Sequence, residues 1–269
     1  MARRVAVIAS MGTVSPPMDD ASRQSTCHTI LGLDLAVAPE NSGVALAQRD
    51  GDDEWRLQRL FRGSREPLLG QILAILDDPR PLICIDSPLG WPAALADGLR
   101  DHRAGEPLPG EPQTLFNRYT DVEIRQRLRK KPLEVGADRI ARTAVAALTL
   151  LEALRQALGQ PLPLLLGLDE PAVGKVIETY PAGTLRAHQV ESRGYKRPDG
   201  ETVRGRLASW LAEGIAMDEA QQAKCVASDH VLDAVLCVRA GLDVLAGEAV
   251  APEDLALARR EGWIWCRGA

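Results

Sequence analysis

Carboxylates stand in this chain where aliphatic side chains are expected. Asp34 interrupts Ile30-Leu31-Gly32-Leu33-Asp34-Leu35-Ala36, Asp86 ends Pro81-Leu82-Ile83-Cys84-Ile85-Asp86, and Glu178 closes Val176-Ile177-Glu178. Asp229 and Asp233 enter the helical run that continues to Val238. A lone buried carboxylate is costly unless it is paired, protonated or bound to a metal. Repetition of that cost in separate segments indicates that the acids compensate one another through something cationic. Asp229 and Asp233 are four residues apart and fall on one helix face, where like charges repel unless a cation lies between or above them. Oxygen-only ligation suits Mg²⁺ or Mn²⁺ rather than zinc. Two such ions, roughly 3.5–4 Å apart, activate a water and stabilise the leaving oxygen in phosphodiester cleavage. In that arrangement Asp34 bridges both ions, Asp86 binds one, and Asp229 or Asp233 completes the other. Glu178 is a further candidate, as a ligand or for positioning water. His230, beside the helix acids, is a candidate for protonating a leaving group. Singly, each Asp is an ordinary turn or cap residue. The ordered set points to metal chemistry.

The elements that must position these acids are legible from pattern. Residues 29–37 read as a strand, Gly43 to Ala47 as a second after the turn Pro39-Glu40-Asn41-Ser42, and Trp55 to Phe61 as a third after Asp50-Gly51. Short turns make these three an antiparallel meander. A helix follows from Glu66 to Asp77, and the apolar run Leu82 to Asp86 fits a central strand buried on both faces. Residues 87–117, rich in Pro and Gly, read as an irregular loop or lid. Helices are expected over 121–131, 137–158, after Pro181, over Val203 to Ala212, and from Asp229 to Ala246 with Ser228 as N-cap. Val173 to Tyr180 is a strand, residues 191–200 are turn-like, and Glu261 to Trp265 form a last short strand or ordered tail. This order predicts an α/β fold: a mixed sheet flanked by helices. Residues 1–28 read as a flexible extension and 29–269 as one domain.

Bulk properties narrow the class. The net charge of −5 argues against a protein that coats nucleic acid non-specifically, though not against a local basic groove. The five cysteines are scattered without a C-x-x-C pair, which fits reduced thiols in a cytoplasmic protein. No segment approaches the ~20 apolar residues of a membrane span, and the short apolar stretch Val5 to Ala9 is too brief for a secretory signal. The four histidines and the cysteines make no metal-ligand spacing. Gly167 to Lys175 fails as a phosphate loop, because Val176 replaces the Ser/Thr that would follow the lysine.

The beads Gly-Leu-Asp-Leu-Ala (32–36), Ile-Asp-Ser-Pro-Leu-Gly (85–90), Val-Ile-Glu-Thr-Tyr-Pro-Ala (176–182), Tyr195-Lys196 and His-x-x-Asp-Ala (230–234), with the late Glu-Gly-Trp-Ile (261–264), resemble domain-of-unknown-function family 429. The resemblance spans about residues 29 to 265. It implies a nuclease with a ribonuclease H-like fold, similar in layout to the Holliday-junction resolvases. The implied sheet is mixed and five-stranded, with its first three strands antiparallel. Acids would lie on the first strand (Asp34), the fourth (Asp86) and the last core helix (Asp229, Asp233), with divalent metal between them. Resolvase-like enzymes usually space the helix acids three apart, whereas four separate Asp229 from Asp233, with His230 between.

Substrate signals are electrostatic. Residues 118–142 hold eight basic side chains against four acidic ones, a local surplus in an acidic protein that could line a groove for DNA or RNA. Arg118, Arg125 and Lys196 are the expected substrate-binding residues, and Phe116 and Tyr119 could stack on bases. The leading expectation is a metal-dependent nuclease. One alternative is a phosphotransferase of the actin/sugar-kinase type, which needs a duplicated lobe and a Gly-Gly adenosine motif that the sequence does not display. Another is a catalytically inactive interaction module on the same fold.

Overall fold

The computed structural model describes residues 27–49, 54–136 and 138–268. Most of the proposed N-terminal extension, and the Asp50-Gly51 turn, lie outside them. Chain order begins with three strands, β1 (Thr29–Asp34), β2 (Gly43–Arg49) and β3 (Trp55–Arg62), then helix α1 (Leu68–Leu73) and strand β4 (Leu82–Asp86). Two short helices, α2 (Ala93–Leu99) and α3 (Pro112–Phe116), precede α4 (Tyr119–Leu128) and the long α5 (Asp138–Leu158). Strand β5 (Val176–Glu178) leads to α6 (Pro181–Ala187), α7 (Glu201–Ala212), α8 (Glu219–Ala227), α9 (Asp229–Leu245) and α10 (Leu255–Glu261).

The strands form one mixed sheet in the order β3-β2-β1-β4-β5. The β1/β2 and β2/β3 pairs are antiparallel, and β4 runs parallel to both β1 and β5. The pairing of β1 with β2 extends backwards, since Arg49 N–H donates to His28 O at 2.9 Å and Cys27 is buried. His28 thus adds a backbone hydrogen bond to β2 just ahead of β1.

Both faces of the central strands are covered, and their side-chain alternation decides what each face meets. Leu31 and Leu33 of β1 and Ile83 and Ile85 of β4 pack with α1 and with Leu151 and Leu154 of α5. Ile30 of β1 and Leu82 and Cys84 of β4 join the opposite cluster, built on Val231 to Val238 of α9. Continuing the period of two puts Asp34 and Asp86 on the α9 side. The helix approaches the sheet closely because glycines leave room. A Cβ at Gly32 would lie 2.2 Å from Ala234 O, and one at Gly43 would lie 1.9 Å from His230 O. The backbone of α9 thus rests directly on β1 and β2.

Three local readings differ from expectation. Residues 87–117 contain α2 and α3, each entered through a proline: Pro92 just before α2 and Pro112 at the first turn of α3. Proline pre-sets the helical φ at such positions, so prolines that suggested irregular chain also start helices. Helix α8 was not anticipated, although Asp218 and Gln221 form a reciprocal capping box. Helix α10 opens on Asp254, whose side chain accepts from Leu257 N–H. The terminal tail runs beside β5, with Trp265 N–H donating to Glu178 O at 2.9 Å. Among the described residues no helix is long and apolar enough to cross a membrane.

Candidate metal centre

Asp34 and Asp86 end adjacent parallel strands and are direct partners in the β1/β4 register. Asp233 comes down onto them from the second turn of α9. One carboxylate oxygen from each of the three lies within 4.8 Å of the others. Ser228 starts α9 at the rim of the sheet, its hydroxyl accepting from Val231 N–H. Four residues of helix rise about 6 Å, which separates the two helix acids: Asp233 is buried and Asp229 is half-buried at the rim. Asp229 is not part of the close cluster, although its charge still acts on Asp34 and His230.

The three carboxylates have unequal partners. Asp34 is held by His230, whose Nδ1 lies 2.7 Å from its Oδ2. Asp233 receives the Tyr195 hydroxyl at 3.0 Å on Oδ1 and the Lys196 ammonium at 2.6 Å on Oδ2. Among the described residues no hydrogen-bond donor reaches the Asp86 side chain. Three acids therefore share one lysine and one histidine, and the acid with the fewest partners stands beside the other two.

Protonation follows from that crowding. Burial pushes Asp86 well above the usual carboxylate range, and the charges of Asp34 and Asp233 push it further. Burial also raises Asp233, to about 7, with Lys196 pulling it down and Asp34 pushing it up. Asp34 is raised by burial against the lowering effect of its His230 bond. The same bond raises His230. Each group is thus more basic folded than unfolded, so the stability it contributes is fully present below its unfolded pKa and is lost as pH rises through the folded one. For the acids the window runs from the ordinary value of about 4 to about 7 for Asp233. Metal-free protein is expected to lose thermal stability steadily from about pH 5 to pH 7, and Mg²⁺ to offset the loss. Melting curves in chelator with and without excess Mg²⁺ check this; a flat profile in chelator contradicts it.

Glu178, expected to help bind metal or place water, is committed elsewhere. Arg118 is 1% exposed and grips Glu178 with both terminal nitrogens, at 2.8 and 2.7 Å. Its Nε and Nη2 also reach Asp121, at 3.2 and 2.9 Å. Glu178 further accepts from Leu89 N–H. Arg118 is thereby a buried tie between β5, α4 and the segment after β4, not a side chain open to a substrate. Arg125 is exposed on α4. Lys196, assigned to substrate, lies against Asp233, so its ammonium already belongs to the acid cluster. Phe116 is exposed, while Tyr119 packs on Trp263 with ring centroids 5.3 Å apart.

Two further participants, Tyr195 and Glu261, act through contacts that sequence spacing does not show. Tyr195 adjoins Lys196, and the pair was visible as a bead, but its bond to Asp233 crosses 38 residues. Glu261 accepts from the first backbone N–H groups of two helices, Ala93 of α2 at 2.6 Å and Tyr119 of α4 at 2.5 Å. A carboxylate there satisfies donors that a helix start leaves open. All five cysteines are free and buried.

Fold and site together define an α/β protein with an acidic cluster, Asp34, Asp86 and Asp233, that could hold a metal ion. A family model described as Protein of unknown function (DUF429) matches residues 32–256, and the chain belongs to that family. Searches of curated proteins and of solved structures returned no match.

Proposed function

We propose that this protein is a divalent-metal-dependent hydrolase of nucleic-acid phosphodiester bonds, built on a ribonuclease H-like fold. The observation that carries the reading is the convergence of Asp34, Asp86 and Asp233 within 4.8 Å, with no donor to Asp86 among the described residues. Acids on the first strand, the fourth strand and a late core helix match the layout that the family resemblance implies. The five-stranded mixed sheet supports the same reading.

Asp34, Asp86 and Asp233 would hold Mg²⁺ or Mn²⁺, the ions suited to an all-oxygen donor set. In a two-ion form, Asp34, Asp86 and Asp233 would hold both ions between them. Bound ions would supply positive charge to activate a water and to stabilise charge developing on the phosphate. Lys196 is close enough to add its charge at the same place. It orients Asp233 together with Tyr195. His230 is anchored through Nδ1 to Asp34, which leaves Nε2 on the opposite ring edge to deliver a proton to a departing oxygen. Glu178 keeps a structural part, fixing the chain after Asp86 through Leu89.

The test is a cleavage panel of single-stranded, duplex and branched DNA and of RNA in Mn²⁺, run beside thermal shifts in the same ion. Cleavage of at least one substrate, lost in Asp34→Ala together with the Mn²⁺ shift, is expected. Mn²⁺ stabilisation with no cleavage of any member would reject the nuclease assignment and favour an inactive module. No stabilisation at all would reject the metal.

A further inference from the structure

Beyond the acid cluster, one surface concentrates positive charge. A groove of about 520 Å³ runs between the end of α4, α6 and the turn-rich chain of residues 191–197. Its walls carry Arg129, Lys130, Arg186, Arg193, Lys196 and Arg197, and among the described residues the only acid lining it is Glu191. A second groove of about 420 Å³ shares Arg129 and Arg186 with the first. In a chain of net charge −5, five cations beside the Asp233-bound Lys196, facing one lining acid, make a concentrated field. All six are exposed. Among the described residues no carboxylate pairs with Arg129, Lys130, Arg186, Arg193 or Arg197, whereas nearby Arg127 is held by Glu123 and Lys131 by Glu134.

Backbone geometry adds an independent sign. Arg129 closes α4 in the left-handed region, at φ 51°. Gln189, which lines the second groove, is left-handed as well, at φ 56°. Glycine fits such positions without strain, and an arginine at the end of a helix forgoes that advantage. Strained residues of this kind gather where a side chain is needed for something other than stability. Lys196 links groove and acids, since the same side chain lines the groove and touches Asp233.

From this geometry we infer that the groove is the seat of a nucleic-acid strand, held by its phosphodiester backbone, with Lys196 marking where the strand meets the acids. The inference rests on the hydrolase reading above and gives it a substrate-binding surface. Recognition through phosphates alone makes binding insensitive to base sequence and steeply dependent on salt. It also assigns the phosphate contacts to Arg129, Arg193 and Arg197 rather than to Arg118 or Arg125.

Binding can be read without metal or turnover. The probe is a fluorescein-labelled oligothymidylate of about 12 nucleotides, titrated in chelator and followed by anisotropy at several salt concentrations. The full chain is expected to bind it, and Arg129→Gly/Arg193→Gln/Arg197→Gln to bind at least about tenfold more weakly. Removing three contacts should also make the slope of log affinity against log salt shallower by roughly two. Arg129→Gly alone is expected to melt at a higher temperature than the parent while binding more weakly, a combination that a purely structural arginine would not give. Unchanged oligonucleotide affinity in the triple variant would overturn the proposal. So would competition by polyglutamate as effective as that of unlabelled oligonucleotide, which would mark the groove as a dock for acidic protein. Mn²⁺ thermal shifts of parent and triple variant keep the two readings apart. A retained shift with unchanged binding condemns the groove alone, and an absent shift in the parent condemns the metal centre.

Discussion

Asp86→Asn is expected to remove the response to divalent ions and to cut hydrolysis more than about a hundredfold, yet to make the metal-free protein more stable. The first two effects follow from loss of an anionic ligand where the geometry offers three. The third follows from crowding. Asp86 is raised chiefly by burial and then by Asp34 and Asp233, and no described donor compensates it. Asparagine keeps the shape and removes a carboxylate that folding must either bring beside two others or neutralise with a proton. Relieving such functional strain commonly yields about 1–2 kcal/mol, or roughly 2–8 °C for a chain of this size. Thermal melts in chelator and in Mn²⁺, beside turnover, read all three effects. An Asp86→Asn protein that melts lower in chelator would mean that this carboxylate serves the fold, and the metal reading would lose its main support.

Arg118→Met should have the opposite character, damaging the fold before the chemistry. Arg118 neutralises Glu178 and Asp121, all three almost wholly buried. Breaking a buried ion pair by removing one partner leaves an uncompensated charge and costs about 3–5 kcal/mol. Two acids depend on this one guanidinium, so the upper part of that range is expected in urea denaturation. Arg118→Met/Glu178→Gln should recover part of the loss, because one stranded charge goes with the arginine. Had Arg118 instead faced substrate, the single variant would fold like the parent and only weaken binding. Normal stability in Arg118→Met would therefore restore it to the substrate surface and release Glu178 as a candidate ligand.

Both predictions show where the sequence spoke clearly and where it did not. Asp34 and Asp86 stood out as a set, because charges recur at the ends of separate aliphatic runs, and period-two alternation places both on the α9 side. Asp229 and Asp233 shared a helix face and could not be ranked. Their difference is one of depth along the axis, set by where α9 begins relative to the strand ends. Glu178 looked like its neighbours in β4 and β1, but its compensating cation lies 60 residues earlier. No spacing rule connects that pair. The same limit hid the basic groove, whose arginines come from α4, α6 and residues 193–197. Reading residues 118–142 as one stripe merged the buried Arg118 with the exposed Arg129. Helix α8 is faint in the sequence for a smaller reason: its Asp218/Gln221 box precedes only one deeply buried residue, Cys225, so hydrophobic periodicity gives little signal.

Everything proposed for this site requires that Asp34, Asp86 and Asp233 bind a divalent cation together. Anomalous diffraction from crystals grown with Mn²⁺ measures it most directly. A manganese peak bonded to oxygens of all three carboxylates is expected, with any second peak also contacting Asp34. Crystals saturated with Mn²⁺ that show no peak there, with Lys196 still paired to Asp233, would contradict it.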